Sequence, residues 1–80
     1  MPRYYIDTEI DSELAHDEEG VILRDNLHAH NTGISTLHDL AIAAVPDRPY
    51  IVLSAFIRDE ANKSLCSVRI TIETEWEPEQ

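Results

Sequence analysis

The sequence has one cysteine, Cys66, and two glycines, Gly20 and Gly33, in 80 residues. A single thiol excludes an intramolecular disulfide and a cysteine-built zinc centre. Two isolated glycines exclude a glycine-rich phosphate loop. Basic side chains are also scarce. Six Lys and Arg against sixteen Asp and Glu leave a net charge of −10. Duplex DNA needs several cations facing its phosphates, and anionic lipid needs a basic cluster, so neither is an expected partner. No apolar stretch approaches the ~20 residues of a membrane helix. The opening Met1-Pro2-Arg3-Tyr4-Tyr5-Ile6-Asp7 has no apolar segment of secretory-signal length. A cytoplasmic chain without membrane or cofactor is expected.

What is present is enough for one small domain over residues 1–80. Apolar residues make up 42 %, too many for a disordered acidic tail, although a core at this length is thin. A helix is expected from Asn26 to Ala44. Asp25 or Asn26 offers a short side-chain oxygen to the first-turn N–H groups, and Pro46 disfavours helical geometry at Val45. At 100° per residue, Leu27, His30, Ile34, Leu37, Ala41, Ala44 and Val45 form the expected buried stripe, flanked by Gly33 and Leu40. Gly33 suggests either close packing on a sheet or a weak first half of the helix.

Two alternating runs follow. Tyr50 to Asp59 puts Ile51, Leu53, Ala55 and Ile57 on one face, and Ser64 to Trp76 does the same with Cys66, Val68, Ile70 and Ile72. Asn62 tolerates positive φ and is the expected pivot between them. Near the start, Tyr4, Ile6 and Thr8 alternate with polar neighbours, and Val21 to Leu23 is a candidate hairpin partner. Asp11 to Gly20 reads as a polar, acidic loop. The order is β-β-α-β-β. This is an α+β class with a mainly antiparallel four-stranded sheet and one helix packed on one face. An acidic tail, about residues 76–80, is expected to fray.

One helix can cover only one face of such a sheet. The reverse face is expected to carry Tyr5, Tyr50, Val52, Phe56 and Leu65, with Arg3, Arg58 and Arg69 among them. A strand that is apolar on both sides is ordinarily covered on both sides, and aromatic residues are enriched in interface cores. The proposed interface is therefore Tyr5, Tyr50, Val52, Phe56, Arg58, Leu65 and Arg69, in a homodimer or against another protein. The arginines would pair with acidic groups such as Glu73, Glu75, Glu77 and Glu79. Stacking of single-stranded bases on Tyr5 and Phe56 beside Arg3 and Arg69 is a further option, opposed by the net charge.

Catalytic and metal constellations are weak. Asp7, Glu9, Asp11, Glu13 and Glu18 fall at positions of a calcium loop, but Ser12 stands where that loop turns on glycine. His28 and His30 lie 200° apart on the helix and cannot share a metal. His30 and His38 differ by 80° and two turns, a poor geometry for a zinc that needs three or four convergent ligands, and His30 is expected half-buried and hydrogen-bonded. Cys66 is expected to face the core, where a thiol is a small apolar group rather than a nucleophile. No catalytic, metal or cofactor-binding residue is assigned.

Met1-Pro2-Arg3-Tyr4-Tyr5-Ile6, Asp17-Glu18-Glu19-Gly20-Val21, Leu23-Arg24-Asp25-Asn26-Leu27-His28-Ala29 and Arg58-Asp59-Glu60-Ala61-Asn62-Lys63-Ser64-Leu65 together resemble a family of small bacterial proteins of unknown function. The resemblance supports the fold and implies no activity. A weaker likeness of shape exists to small antitoxins that neutralise a toxin RNase. The expected function is a non-enzymatic acidic interaction domain that self-associates through its sheet. The alternative is an inhibitor or antitoxin-like protein whose acidic surface blocks a basic or nucleic-acid-binding partner.

Overall fold

The computed structural model describes residues 1–43 and 49–78. The order is β1 (Arg3–Ile10), β2 (Glu13–Ala15), β3 (Val21–Ile22), α1 (Asn26–Ala43), β4 (Tyr50–Asp59) and β5 (Ser64–Glu73). The sheet order is β2-β1-β4-β5, with β3 also on β1, and all the pairings are antiparallel. The α+β class and the single helix agree with the sequence reading. The sheet has five strands rather than four, because part of the expected acidic loop forms β2. The expected helix stop at Val45 and Pro46, with Ala44, lies outside the described residues, as do Glu79 and Gln80 of the expected tail. The last strand ends at Glu73, short of the expected Trp76.

Turn chemistry sets the hairpins. Asp11 takes positive φ (56°) between β1 and β2, and its N–H donates to the carbonyl of Val52 at 2.8 Å. Asn62 takes positive φ (64°) between β4 and β5, as its tolerance for that conformation predicts. Asp59 Oδ1 accepts the N–H groups of Ala61 and Lys63, both at 2.9 Å, and closes this turn. Asp25 caps α1 by accepting the N–H of His28 at 2.8 Å, and His28 Nδ1 in return accepts the N–H of Arg24 at 3.2 Å.

The core lies between α1 and the sheet. Leu37, Ile51, Leu53 and Ile57 are fully buried, each worth about 1.5–3 kcal/mol of apolar transfer. The helix face differs from the expected one. Ala29, Gly33 and Leu37 are buried, whereas Leu27 and Ile34 are 68 % and 42 % exposed. The reason is approach distance. A Cβ at Gly33 would sit 3.0 Å from Ile57 Cδ1, so the small residues let the helix axis come close to β4. Turning Leu27 and Ile34 inward would hold it farther off. Of the two expected explanations for Gly33, close packing on the sheet is the one the structure supports. His30 is half-buried, with Nδ1 3.0 Å from Asn31 Oδ1.

Candidate functional site

Strand alternation sends Asp7 of β1 and Arg58 of β4 to the face away from the helix, beside Tyr5. Arg58 Nε donates to Asp7 Oδ2 at 3.0 Å, and Arg58 Nη2 reaches Asp7 Oδ1 at 3.3 Å. The guanidinium carbon sits 4.5 Å from the centre of the Tyr5 ring, at cation–π distance. The loop after β2 closes over the pair. Arg58 Nη2 donates to the Asp17 carbonyl at 2.8 Å, and the Asp17 N–H donates to Asp7 Oδ1 at 2.8 Å. His16 lies outermost, with Nδ1 3.3 Å from Asp7 Oδ1 and Nε2 3.1 Å from Arg58 Nη2. The Arg58 and Asp7 side chains are only 17 % and 12 % exposed.

Asp17 also repairs the edge of β1. That edge pairs with β3 at Arg3 and Tyr4 and with β2 from Thr8 to Ile10. Between them, Asp17 Oδ2 accepts the N–H of Ile6 at 3.0 Å. Its other oxygen accepts the N–H groups of Glu19 (3.2 Å) and Gly20 (3.0 Å). Gly20 has φ 73°, and a Cβ there would lie 2.8 Å from the Tyr4 carbonyl oxygen, so glycine is required. The Asp17-Glu18-Glu19-Gly20 element is therefore a structural clasp. Arg3 Nη1 donates to the Glu19 carbonyl at 2.7 Å and fastens it from the other side.

Burial would raise the Asp7 carboxyl. The Arg58 hydrogen bonds, the Asp17 N–H and the charges of Arg58 and His16 outweigh it, so the group lies below the ordinary aspartate range. Asp17 is likewise lowered: burial opposes ionisation, and the N–H groups of Ile6, Gly20 and Glu19 more than offset it. The hydrogen bond to Asp7, and then its charge, hold Arg58 above its usual value. The cluster is thus a charged lock whose hydrogen bonds go to its own members, to the backbone and, from Arg58 Nη1, to Asn62 Oδ1 at 3.3 Å.

The seven residues expected at an interface separate into three groups. Tyr5 and Arg58 lie on the reverse face as expected, but the chain's own acidic loop covers that end. Arg58 finds its carboxylate at home, in Asp7, rather than on a partner. Leu65 corrects the expectation outright. Register shifts between Ile57 and Arg58, so that Ile57 faces Cys66 and Arg58 faces Ser64. The bulge leaves Leu65 as an extra residue, packed against the core. Val52 and Phe56 are half-buried, Arg69 is exposed, and Tyr50 is 55 % exposed. Cys66 packs against the core as expected. Asp7, His16 and Asp17 carry the cluster and were not singled out as a group. The signal is a carboxylate diagonal to an arginine on adjacent strands, Asp7 lying opposite Phe56 and Arg58 opposite Tyr5, legible only once the register is known. Among the described residues, no three His, Cys, Asp or Glu side chains converge as for a metal. No helix of the described residues is long and apolar enough to cross a membrane.

The two edges of the sheet differ. The β1 edge is taken up by β2, Asp17 and β3. At the other edge, β5 pairs only with β4 among the described residues. The Thr74 N–H reaches the Pro49 carbonyl at 2.7 Å, in register with Tyr50 opposite Glu73. Backbone groups in an antiparallel ladder alternate in direction. Cys66, Val68, Ile70 and Ile72 therefore bond to β4, while Ser67, Arg69, Thr71 and Glu73 aim their N–H and C=O groups off the edge.

No curated protein and no solved structure matches this chain. A family model matches residues 3–71, a span that takes in the Asp17–Gly20 clasp, the Asp7–Arg58 pair and nearly all of β5. The chain therefore belongs to the family described as "Domain of unknown function (DUF6894)".

Proposed function

We propose that this chain is a non-enzymatic interaction module that self-associates through its sheet. The observation that supports it is the asymmetry of the two edges. One is broken into strands of three and two residues with a carboxylate between them, while the other is a ten-residue strand with one side unpaired among the described residues. A long open edge is a template for another strand, and folds ordinarily shorten, cover or charge such edges. The polar cluster fits the same reading, because its hydrogen bonds hold the acidic loop in place. Sedimentation velocity from micromolar to millimolar protein tests it. The expected result is a species of twice 9.1 kDa that grows with concentration. A mass of 9.1 kDa throughout overturns it.

The net charge of −10 favours a second reading, capture of a basic protein surface. Retention of a basic protein that falls steeply with salt would support it. Retention indifferent to salt would remove it.

A further inference from the structure

We infer that β5 pairs with β5 of a second copy, antiparallel, about a twofold axis at Thr71. The inference rests on the proposed self-association and adds the element, the register and the contacts. An antiparallel twofold pairing must bring Ser67, Arg69, Thr71 and Glu73, with their outward-facing backbone, opposite residues of the same set in the second copy, so the axis falls on one of them or on a residue between two of them.

The charges select among the registers. An axis at Arg69 sets two arginines face to face. An axis at Val68 places Arg69 opposite Ser67, and an axis at Ile70 places it opposite Thr71. Within β5, which ends at Glu73, only the axis at Thr71 brings Arg69 opposite an acidic residue, Glu73 of the second copy, and symmetry makes this contact twice. Directly opposed cross-strand residues of opposite charge attract, and like charges repel. Arg69 and Glu73 are both exposed, on the face away from the helix, opposite Ser54 and Tyr50 of their own sheet. On the helix face the same register sets Ile70 against Ile72 of the second copy, also twice. These two residues are only half-buried, while Ile51 and Leu53 beside them on β4 are 1 % and 0 % exposed. A second β5 would extend the apolar row over the edge. Continued past Glu73, the register also gives Trp76, 86 % exposed, a place opposite Cys66.

The test is charge reversal with rescue. Arg69→Glu and Glu73→Arg each place like charges opposite one another twice. Each is expected to weaken dimerisation about tenfold, from two cross-strand pairs changed from attraction to repulsion. The double variant restores opposite signs and is expected to recover most of the affinity. A second measurement fixes the axis. In a Cys66→Ser background, Thr71→Cys should give a disulfide-linked dimer under mild oxidation, because opposed Cα atoms about 5.5 Å apart are within bridging range. Ser67→Cys in that background should not. A dimer indifferent to both charge reversals but lost in Phe56→Asp overturns the β5 pairing and leaves self-association standing. Cross-linking through Ser67→Cys and not Thr71→Cys overturns the register. A monomer at every concentration overturns both readings.

Discussion

The Asp17 carboxylate accepts the N–H of Ile6 at 3.0 Å, in the one stretch of β1 where neither β2 nor β3 offers a carbonyl. A side chain here does the work of a strand. Asp17→Ala removes the acceptor for three N–H groups and is expected to cost about 2–3 kcal/mol, the range for partly buried donors left unpaired and for bonds to a charged group. Asp17→Asn, which keeps one acceptor oxygen, should cost less. Urea unfolding of the three proteins measures both.

The same lock gives the fold an acid limit. Asp7 and Asp17 are both lowered from the value of 3.8 taken for an unperturbed aspartate. Protons therefore bind more tightly to the unfolded chain than to the folded one. The stability contributed by these groups is complete above the unfolded value and drains away as pH falls below about 4 toward the folded values. Denaturant midpoints measured at successively lower pH should decline through that window. Asp7→Asn should lower the midpoint at neutral pH and flatten the acid decline. An equal decline in Asp7→Asn would show that the titration lies elsewhere.

Gly33 should resist the usual helix improvement. In an open helix, Gly→Ala gains about 1 kcal/mol. Here the added methyl meets Ile57 Cδ1 at 3.0 Å, and Ile57, 1 % exposed, must give by a few tenths of an ångström inside the core. Gly33→Ala should show less than that gain, and Gly33→Leu should lose about 2–3 kcal/mol through overpacking. Thermal unfolding of the two variants checks the ordering.

Asn62 holds its turn through a conformation that most side chains disfavour. Asn62→Gly should stay within about 0.5 kcal/mol of the original. Asn62→Val should lose about 1–2 kcal/mol, because it gives up the short polar side chain that lets asparagine tolerate a left-handed backbone and adds branching at Cβ. Equal stability for the two variants would contradict the φ of 64°.

Sequence alone was most informative where one residue type repeats with the period of its element. Tyr50–Asp59, with Ile51, Leu53, Ala55 and Ile57 recurring at every second position, matches β4 end for end. Asn62 marked its turn for the same local reason. The helix was legible in extent but not in rotation. Periodicity favours the large residues Leu27 and Ile34, whereas the packing is decided by how near Ala29 and Gly33 let the backbone come. β2 escaped because Glu13, Leu14 and Ala15 carry no alternation and are all exposed; the turn at Asp11 places them on β1. The Asp7–Arg58 pair spans 51 positions, and no local pattern joins such distant residues. Once register brings them together, the chemistry of carboxylate and guanidinium needs nothing more.

Tyr4 pairs with Asp59 and Ile10 with Leu53, so the first strand made is completed by almost the last. On the ribosome, the amino-terminal hairpin must wait until the fifth of the six elements has been synthesised before its apolar side finds a neighbour. Contacts this far apart along a chain close slowly. The interval between synthesis of β1 and its closure on β4 is when chaperones and proteases would find this domain easiest to seize.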